Sequence, residues 1–173
     1  MSRMLVLVVG PSGAGKDTLL AAARRGLAGD PRVRFVRRTI TRPAEAGGED
    51  HDAVTDAEFA ARDHALQWAA HGLRYGIPAD IGRDLDRGMT VVANVSRMVI
   101  ADAASRFAIR VVEVTAPPHV LAARLAARGR EDADDVARRL TRIVSLPEGV
   151  DVRRVVNDGT LEDGVARFLA ALA

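Results

Sequence analysis

Along this chain, short apolar runs alternate with longer stretches whose apolar residues recur every three or four positions. The runs Met4–Val9, Val33–Arg37, Met89–Val95, Ile109–Thr115 and Val152–Val156 are dense in valine and isoleucine. Continuous runs of β-branched residues, rather than an apolar–polar alternation, predict strands buried on both faces of a parallel sheet. Helical spacing covers Gly15–Leu27, Ala79–Arg87, Arg97–Arg106, Pro117–Ala127, Asp132–Ser145 and Leu161–Leu172. Pro117 suits the first turn of its helix, where an amide hydrogen would have no partner. Strands and helices in alternation predict a three-layer α/β fold with a parallel sheet core.

The segment Arg38–Gly76 breaks this rhythm. It carries a glycine- and acid-rich loop, Ala46–Asp52, a short helix candidate, Asp56–Arg62, and strand-like pieces at Leu66–His71 and Leu73–Tyr75. Roughly 40 residues is long for a connection inside a compact domain and predicts a function of its own. Insertions at the C-terminal side of a parallel sheet are where substrates are received. The expected organisation is a single domain over residues 1–173. Its core is 1–37 and 77–173, with an acceptor-binding insertion at about 38–76.

Composition narrows the classes. The chain has 173 residues, is 48% hydrophobic and contains no cysteine, so disulfides and thiolate metal sites are excluded. No apolar run approaches the ~20 residues of a membrane span. Met4–Val9 is too short for a signal-peptide core and lacks a cleavage site, so a cytoplasmic protein without a membrane partner is expected. The pI of about 9.9 hints at a nucleic-acid partner. The net charge is only +2, however, and aromatic residues make up 3%, so nucleic acid is not expected. Lys16 is the sole lysine in a chain that otherwise uses arginine. It stands where a compact, flexible ammonium has a specific use.

That use is phosphate binding. Gly10, Pro11, Ser12, Gly13, Ala14, Gly15 and Lys16 match G-x-x-x-x-G-K directly after an apolar strand and at the start of a helix. Glycines let backbone N–H groups converge, the helix N-terminus adds its dipole, and the lysine reaches the outer phosphates, so ATP is the expected ligand. Asp17 stands where a Ser or Thr usually holds Mg²⁺, and Thr18 follows. Either Asp17 or Thr18 is a candidate oxygen donor to the metal, with Asp17 as a simple helix cap the bland alternative. No strand ends in an aspartate to supply a second ligand, since Asn94 and Ser96 are neutral.

Arginines mark two further places. Arg128 and Arg130 flank Gly129, predicting a lid at about 128–135 that closes over transferring phosphates. Arg138 and Arg139 are also explained as i,i+4 partners of Asp134 and Asp135. Arg38 and Arg42, with Thr41, sit at the end of the second strand, where they would grip an acceptor phosphate. His51 and His71 fall in the same insertion, whereas His64 reads as a packing histidine. No general base is evident. An acceptor that is already a phosphate oxyanion would not need one.

Together these motifs resemble the guanylate kinase superfamily of P-loop kinases over essentially the whole chain. The carriers are the phosphate loop, Thr39-Ile40-Thr41-Arg42, Leu66-Gln67-Trp68, Tyr75-Gly76, Arg128-Gly129, Arg139-Leu140 and Val156-Asn157-Asp158. Departures concern the acceptor. Pro43-Ala44-Glu45 lacks the family's second arginine, and His51-Asp52-Ala53 lacks its tyrosine. Gln67 replaces a base-reading glutamate, Ile77 a hydroxyl residue, and Asn94 and Ser96 a pair of aspartates.

The departing segments resemble instead the ribose 1,5-bisphosphate phosphokinases of phosphonate breakdown. The markers of that resemblance are Gly15-Lys16-Asp17, Arg38–Arg42, Asn94–Arg97, Arg128–Glu131 and Asn157–Gly159. The resemblance implies ATP-dependent phosphorylation of ribose 1,5-bisphosphate to 5-phosphoribosyl 1-diphosphate, with Mg²⁺. It implies Lys16, Arg128, Arg130 and Arg139 as catalytic. Arg38, Thr41, Arg42, His51, Gln67, His71, Tyr75, Asn94, Ser96 and Arg97 would meet a small phosphorylated acceptor. The alternatives are a guanylate kinase with altered base contacts and a non-catalytic module of the same fold, against which the intact Lys16 argues.

Overall fold

A computed structural model describes residues 4–127 and 145–173. Five strands form a parallel sheet in the order β2-β7-β1-β8-β9. They are β1 (Met4–Val9), β2 (Val33–Phe35), β7 (Thr90–Asn94), β8 (Ile109–Thr115) and β9 (Asp151–Val156). β1 lies at the centre, and its alternation supplies both faces. Leu5, Leu7 and Val9 enter one cluster with Val91, Ile81, Ile100 and Val111. Val6 and Val8 enter the other with Leu19, Ala23, Val112, Val114 and Phe168. The helices α1 (Lys16–Gly26), α5 (Pro118–Ala127) and α6 (Leu161–Leu172) cover the second face. The helices α3 (Ile81–Asp86) and α4 (Ile100–Arg106) cover the first. This is the three-layer α/β arrangement expected from the pattern.

The insertion builds a second, four-stranded sheet in the order β4-β3-β6-β5. Its strands are β3 (Thr39–Ile40), β4 (Asp52–Ala53), β5 (His64–Ala70) and β6 (Leu73–Pro78), and α2 (Asp56–Ala60) leads into β5. A capping box starts α2: Thr55 accepts from the Glu58 amide, and the Glu58 carboxylate returns to the Thr55 amide. Ile40, Leu66, Trp68, Tyr75 and Ile77 join the same apolar cluster as Leu5 and Leu7. The insertion therefore has no separate core, and its sheet is anchored to the parallel one.

Differences from the sequence pattern are local. β2 ends at Phe35 rather than Arg37, and β3 and β4 are too short to leave a periodic signal. The helical pattern Arg97–Arg106 divides, because the Ser96 hydroxyl accepts from the Met98 amide and starts a 3₁₀ turn, Arg97–Val99, before α4. The strands around His71 are joined by a two-residue turn, His71-Gly72, with φ of 53° and 72°. Positive φ at both positions is the backbone that a tight hairpin requires. The helix expected from Asp132, and the lid at 128–135, lie outside the described residues.

Because β1, β7, β8 and β9 are parallel, their C-terminal ends reach one edge together. Gly10, Asn94, Thr115 and Val156 thus converge, as the pairs Val8↔Asn94 and Thr115↔Val156 record. No helix among the described residues is long and apolar enough to cross a membrane.

Phe168 is fully buried between α6 and the sheet. Phe168→Ala is expected to lower the unfolding free energy by about 3–5 kcal/mol, measured by urea denaturation, without changing the order of the strands.

Candidate active site

The loop between β1 and α1 is shaped by close approach. A Cβ on Gly10 would lie 2.1 Å from the carbonyl oxygen of Val114, so β1 can leave the sheet here only through glycine. Gly15 is the N-cap of α1 in the left-handed region, φ 86°, and a Cβ there would lie 2.5 Å from Asn157 Nδ2. Asn157, buried just beyond β9, donates to the Ala14 carbonyl at 2.8 Å. Arg124 of α5 donates to the carbonyls of Gly13 (3.2 Å) and Asn157 (2.9 Å). The loop is thus braced from behind. No side chain caps α1, which leaves its first turn available to an anion. Ser12, Asp17 and Thr18 are exposed at the opening.

Lys16 is held ready inside this loop, with its Nζ donating to the Gly10 carbonyl at 3.3 Å. Burial lowers its pKa. The charges of Asp17 and Glu49 oppose the shift, and those of Arg38 and Arg97 add to it. An arriving phosphate would supply the negative charge that this surrounding lacks.

Around the lysine, acids and cations are interleaved. Asn94 Nδ2 donates to Asp17 Oδ1 (3.2 Å) and to Glu49 Oε2 (2.9 Å). Asp17 is therefore not a helix cap: its carboxylate is turned toward β7. Arg38 Nε donates to Glu49, and its guanidinium lies 5.1 Å from the Tyr75 ring centre and 6.0 Å from that of Trp68. Those two rings stack at 5.4 Å and 4°. Arg97 donates to Glu113, whose other oxygen accepts from Arg154 Nε at 2.9 Å. Glu113 is buried, and β8 places it beside Val9, one residue before Gly10. A cleft of about 540 Å³ opens beside α1, lined by Asp17, Thr18, Arg24, Glu49, Asp50 and Asn94.

The other expected residues divide into those brought to the site and those that build its frame. Thr41 Oγ1 accepts from the Arg74 amide at 2.9 Å and ties the end of β3 to β6. His51 is buried, with one ring nitrogen 2.9 Å from the Glu49 carbonyl oxygen and the other 2.9 Å from that of Arg42. It closes the acidic loop on itself. Arg42 lies 3.5 Å from the His51 ring, and its Nε is buried with no partner among the described residues. Gln67 is exposed, and strand alternation puts it on the opposite face of β5 from Trp68, away from Arg38. His71 is at the exposed hairpin tip. Ser96 serves as the cap described above. His64 stacks on Phe59 at 4.2 Å and covers Gly76, a packing role. Arg128, Arg130 and Arg139 lie outside the described residues.

Glu49, Glu113, Asn157 and Arg124 gain positions that the pattern did not assign them. Glu113 left a readable trace, an acid within the apolar run Ile109–Thr115. Asn157 was only a marker of resemblance, Glu49 was legible only as part of the acid-rich loop Ala46–Asp52, and Arg124 left no trace. For Mg²⁺, Asp17 offers a hard carboxylate oxygen at the loop. Among the described residues no group of three or more His, Asp or Glu could hold a metal. The donor set fits an ion whose other ligands are phosphate oxygens and water.

Known proteins resemble this chain in sequence and in fold. The family model described as an AAA domain matches residues 5–144. The chain is 54% identical over 171 residues to ribose 1,5-bisphosphate phosphokinase PhnN of Acidiphilium cryptum, covering 99% of this chain and 93% of that protein. It is 49% identical over 177 residues to the protein of the same name from Methylobacterium radiotolerans, covering 99% and 98%. Among solved structures, guanylate kinase from Anaplasma phagocytophilum superposes with a TM-score of 0.67 at 18% identity, over 98% of this chain and 83% of that one. That likeness concerns the fold. The identities and coverage of the two bacterial relatives show that the chain belongs to their family.

Glu113 yields a prediction about stability. Burial pushes its carboxyl pKa up from 4.5, but the Arg154 hydrogen bond and the Arg97 charge outweigh this, and the net shift is downward. A lowered folded-state pKa contributes stability above the unfolded value and loses it as pH falls through the folded one. Glu113→Gln is therefore expected to cost about 1–3 kcal/mol near neutral pH. The gap to wild type in thermal midpoint should close as pH is taken below the ordinary value of 4.5. A gap that is constant with pH would contradict this.

Proposed function

We propose that this member of the ribose 1,5-bisphosphate phosphokinase family transfers the γ-phosphoryl group of ATP to ribose 1,5-bisphosphate, releasing ADP and 5-phosphoribosyl 1-diphosphate. The observation that carries the proposal is 54% identity across nearly the full length of a relative bearing that name. The chain is a kinase, and the phosphate loop with Lys16 is the place for its ATP.

The site chemistry supports this acceptor. The hydrogen-bond donors around the loop are arginines and small amides, suited to phosphates and hydroxyls rather than to a base edge. Gln67, which would replace a base-reading acid, faces away from Arg38. An oxygen of the acceptor's 1-phosphate is ionised at neutral pH and needs no general base. It attacks the γ-phosphorus as the bond to the β–γ bridging oxygen breaks, and ADP leaves with that oxygen. Lys16 neutralises charge on the outer phosphates, while Arg38, Asn94 and Arg97 receive the acceptor. Arg42, Thr41, His51 and Tyr75 shape the acceptor side within the insertion 38–76. Arg128, Arg130 and Arg139 would close over the transferring group from the lid. Asp17, with or without Thr18, would hold Mg²⁺, which supplies further charge neutralisation at the phosphates. Such catalysis is alignment and electrostatics throughout. The setting in this reading is cytoplasmic, with a small phosphorylated molecule as the partner.

Lys16→Ala should retain the fold and lower kcat by at least ~10²-fold, the scale of losing one preorganised charge at a transition state. Asp17→Ala should raise the Mg²⁺ concentration needed for half-maximal rate while leaving metal-free ATP binding within about twofold. Assayed side by side at equal concentration, ribose 1,5-bisphosphate should be converted and GMP turned over ~10²-fold more slowly or less. Each base-edge group buried without a partner costs about 1–3 kcal/mol. Efficient GDP formation with no reaction on the sugar bisphosphate would return the chain to guanylate kinase activity.

A further inference from the structure

Glu49 is an acid where the proposed chemistry calls for cations. Its carboxylate accepts from Arg38 Nε and from Asn94 Nδ2, and its charge acts on Lys16. The Glu49 and Arg38 side chains are 17% and 13% exposed, so the contact is shielded from water rather than a loose surface pair. The next residue, Asp50, forms an outer contact with Arg37 at 3.0 Å and with Arg24 at 3.8 Å. Beneath them, His51 ties the backbone of the same loop to Arg42. The acidic loop is thus strapped over the cleft by two carboxylates, one inside and one at the rim.

A carboxylate and a phosphate monoester ask for the same partners: guanidinium and amide N–H donors, with further positive charge behind them. The Glu49 carboxylate has found that set, and Lys16 stands behind it. We infer that Glu49 is an internal stand-in for phosphate: it marks the seat at which a phosphate group of the acceptor is received, and the acceptor binds by expelling it. Glu49 holds Arg38 Nε and one of the two Asn94 amide hydrogens, and Asp17 holds the other, so a phosphate takes these same donors only when Glu49 leaves them. The seat is therefore open only in the fraction of molecules whose loop has lifted, and apparent acceptor affinity is reduced by that fraction. The device also selects. A neutral sugar gains nothing by replacing a carboxylate there, whereas a phosphate regains what Glu49 gives up. This inference rests on reading the cleft as the acceptor site and adds how that site is guarded.

The test measures inorganic phosphate binding by calorimetry on protein saturated with ADP, so that the loop around Lys16 is already filled. Glu49→Ala is expected to tighten phosphate binding by about tenfold, the effect of removing an occupant present about nine-tenths of the time. Glu49→Gln, which keeps the shape and loses the charge, should fall between Ala and wild type. Asp50→Asn releases only the rim contact and should tighten binding by a smaller factor. It also guards against an artefact of misfolding at position 49. Phosphate affinity that weakens in Glu49→Ala would make Glu49 a direct ligand-binding residue. Affinity within twofold of wild type in all three variants would make the contact silent. Either result overturns the inference. The probe is phosphate itself, so tighter binding without turnover of ribose 1,5-bisphosphate would refute the proposed acceptor and leave the gate standing. Normal turnover with unchanged phosphate affinity would do the reverse.

Discussion

The parallel pairing of β1 between β7 and β8 is the constraint on which the rest depends. It buries β1 on both faces and between two neighbours, and it obliges the chain to leave the sheet at Gly10 against the Val114 carbonyl. No side chain fits at that exit, so the turn into α1 starts from glycine. The phosphate-binding geometry follows from it: a helix start without a side-chain cap, its N–H groups facing out, and Lys16 folded back on the Gly10 carbonyl. The same parallel arrangement brings Asn94, Glu113 and Asn157 to this edge, although each belongs to a different part of the chain.

Charge balance is the second determinant. Lys16, Arg38 and Arg97 approach one another closely enough for each arginine to depress the lysine's affinity for its proton. The protein tolerates this because each arginine has an acid of its own, Glu49 for Arg38 and Glu113 for Arg97. The two acids differ in the element that carries them. Glu113 is fixed on a central strand and also engages Arg154, so it orients Arg97 permanently. Glu49 is on a loop between β3 and β4, so its hold on Arg38 can be exchanged for a substrate's. A rigid pair on one side and an exchangeable pair on the other suit a site that must take in a multiply charged molecule. The stacked Trp68 and Tyr75 beneath Arg38 add a flat aromatic support, which limits where the guanidinium can go when its acid departs.

What the sequence determined by itself is what short-range physics controls. The strand Ile109–Thr115 and the helix Leu161–Leu172 were legible to the residue, because periodicity acts within a few positions. The phosphate loop was legible because its steric demands leave glycine as the only choice. Tertiary structure alone decided which polar groups meet. Asn94 reaches Asp17 across 77 positions, and Asn157 reaches Ala14 across 143. Such contacts depend on strand order and register, which no local pattern encodes. Gln67 makes the same point in reverse. Its place beside Trp68 named it a site residue, but the two-residue period of a strand turns adjacent side chains to opposite faces. Only the entry of Leu66 and Trp68 into the apolar cluster that also holds Leu5 and Leu7 decided which face looked inward.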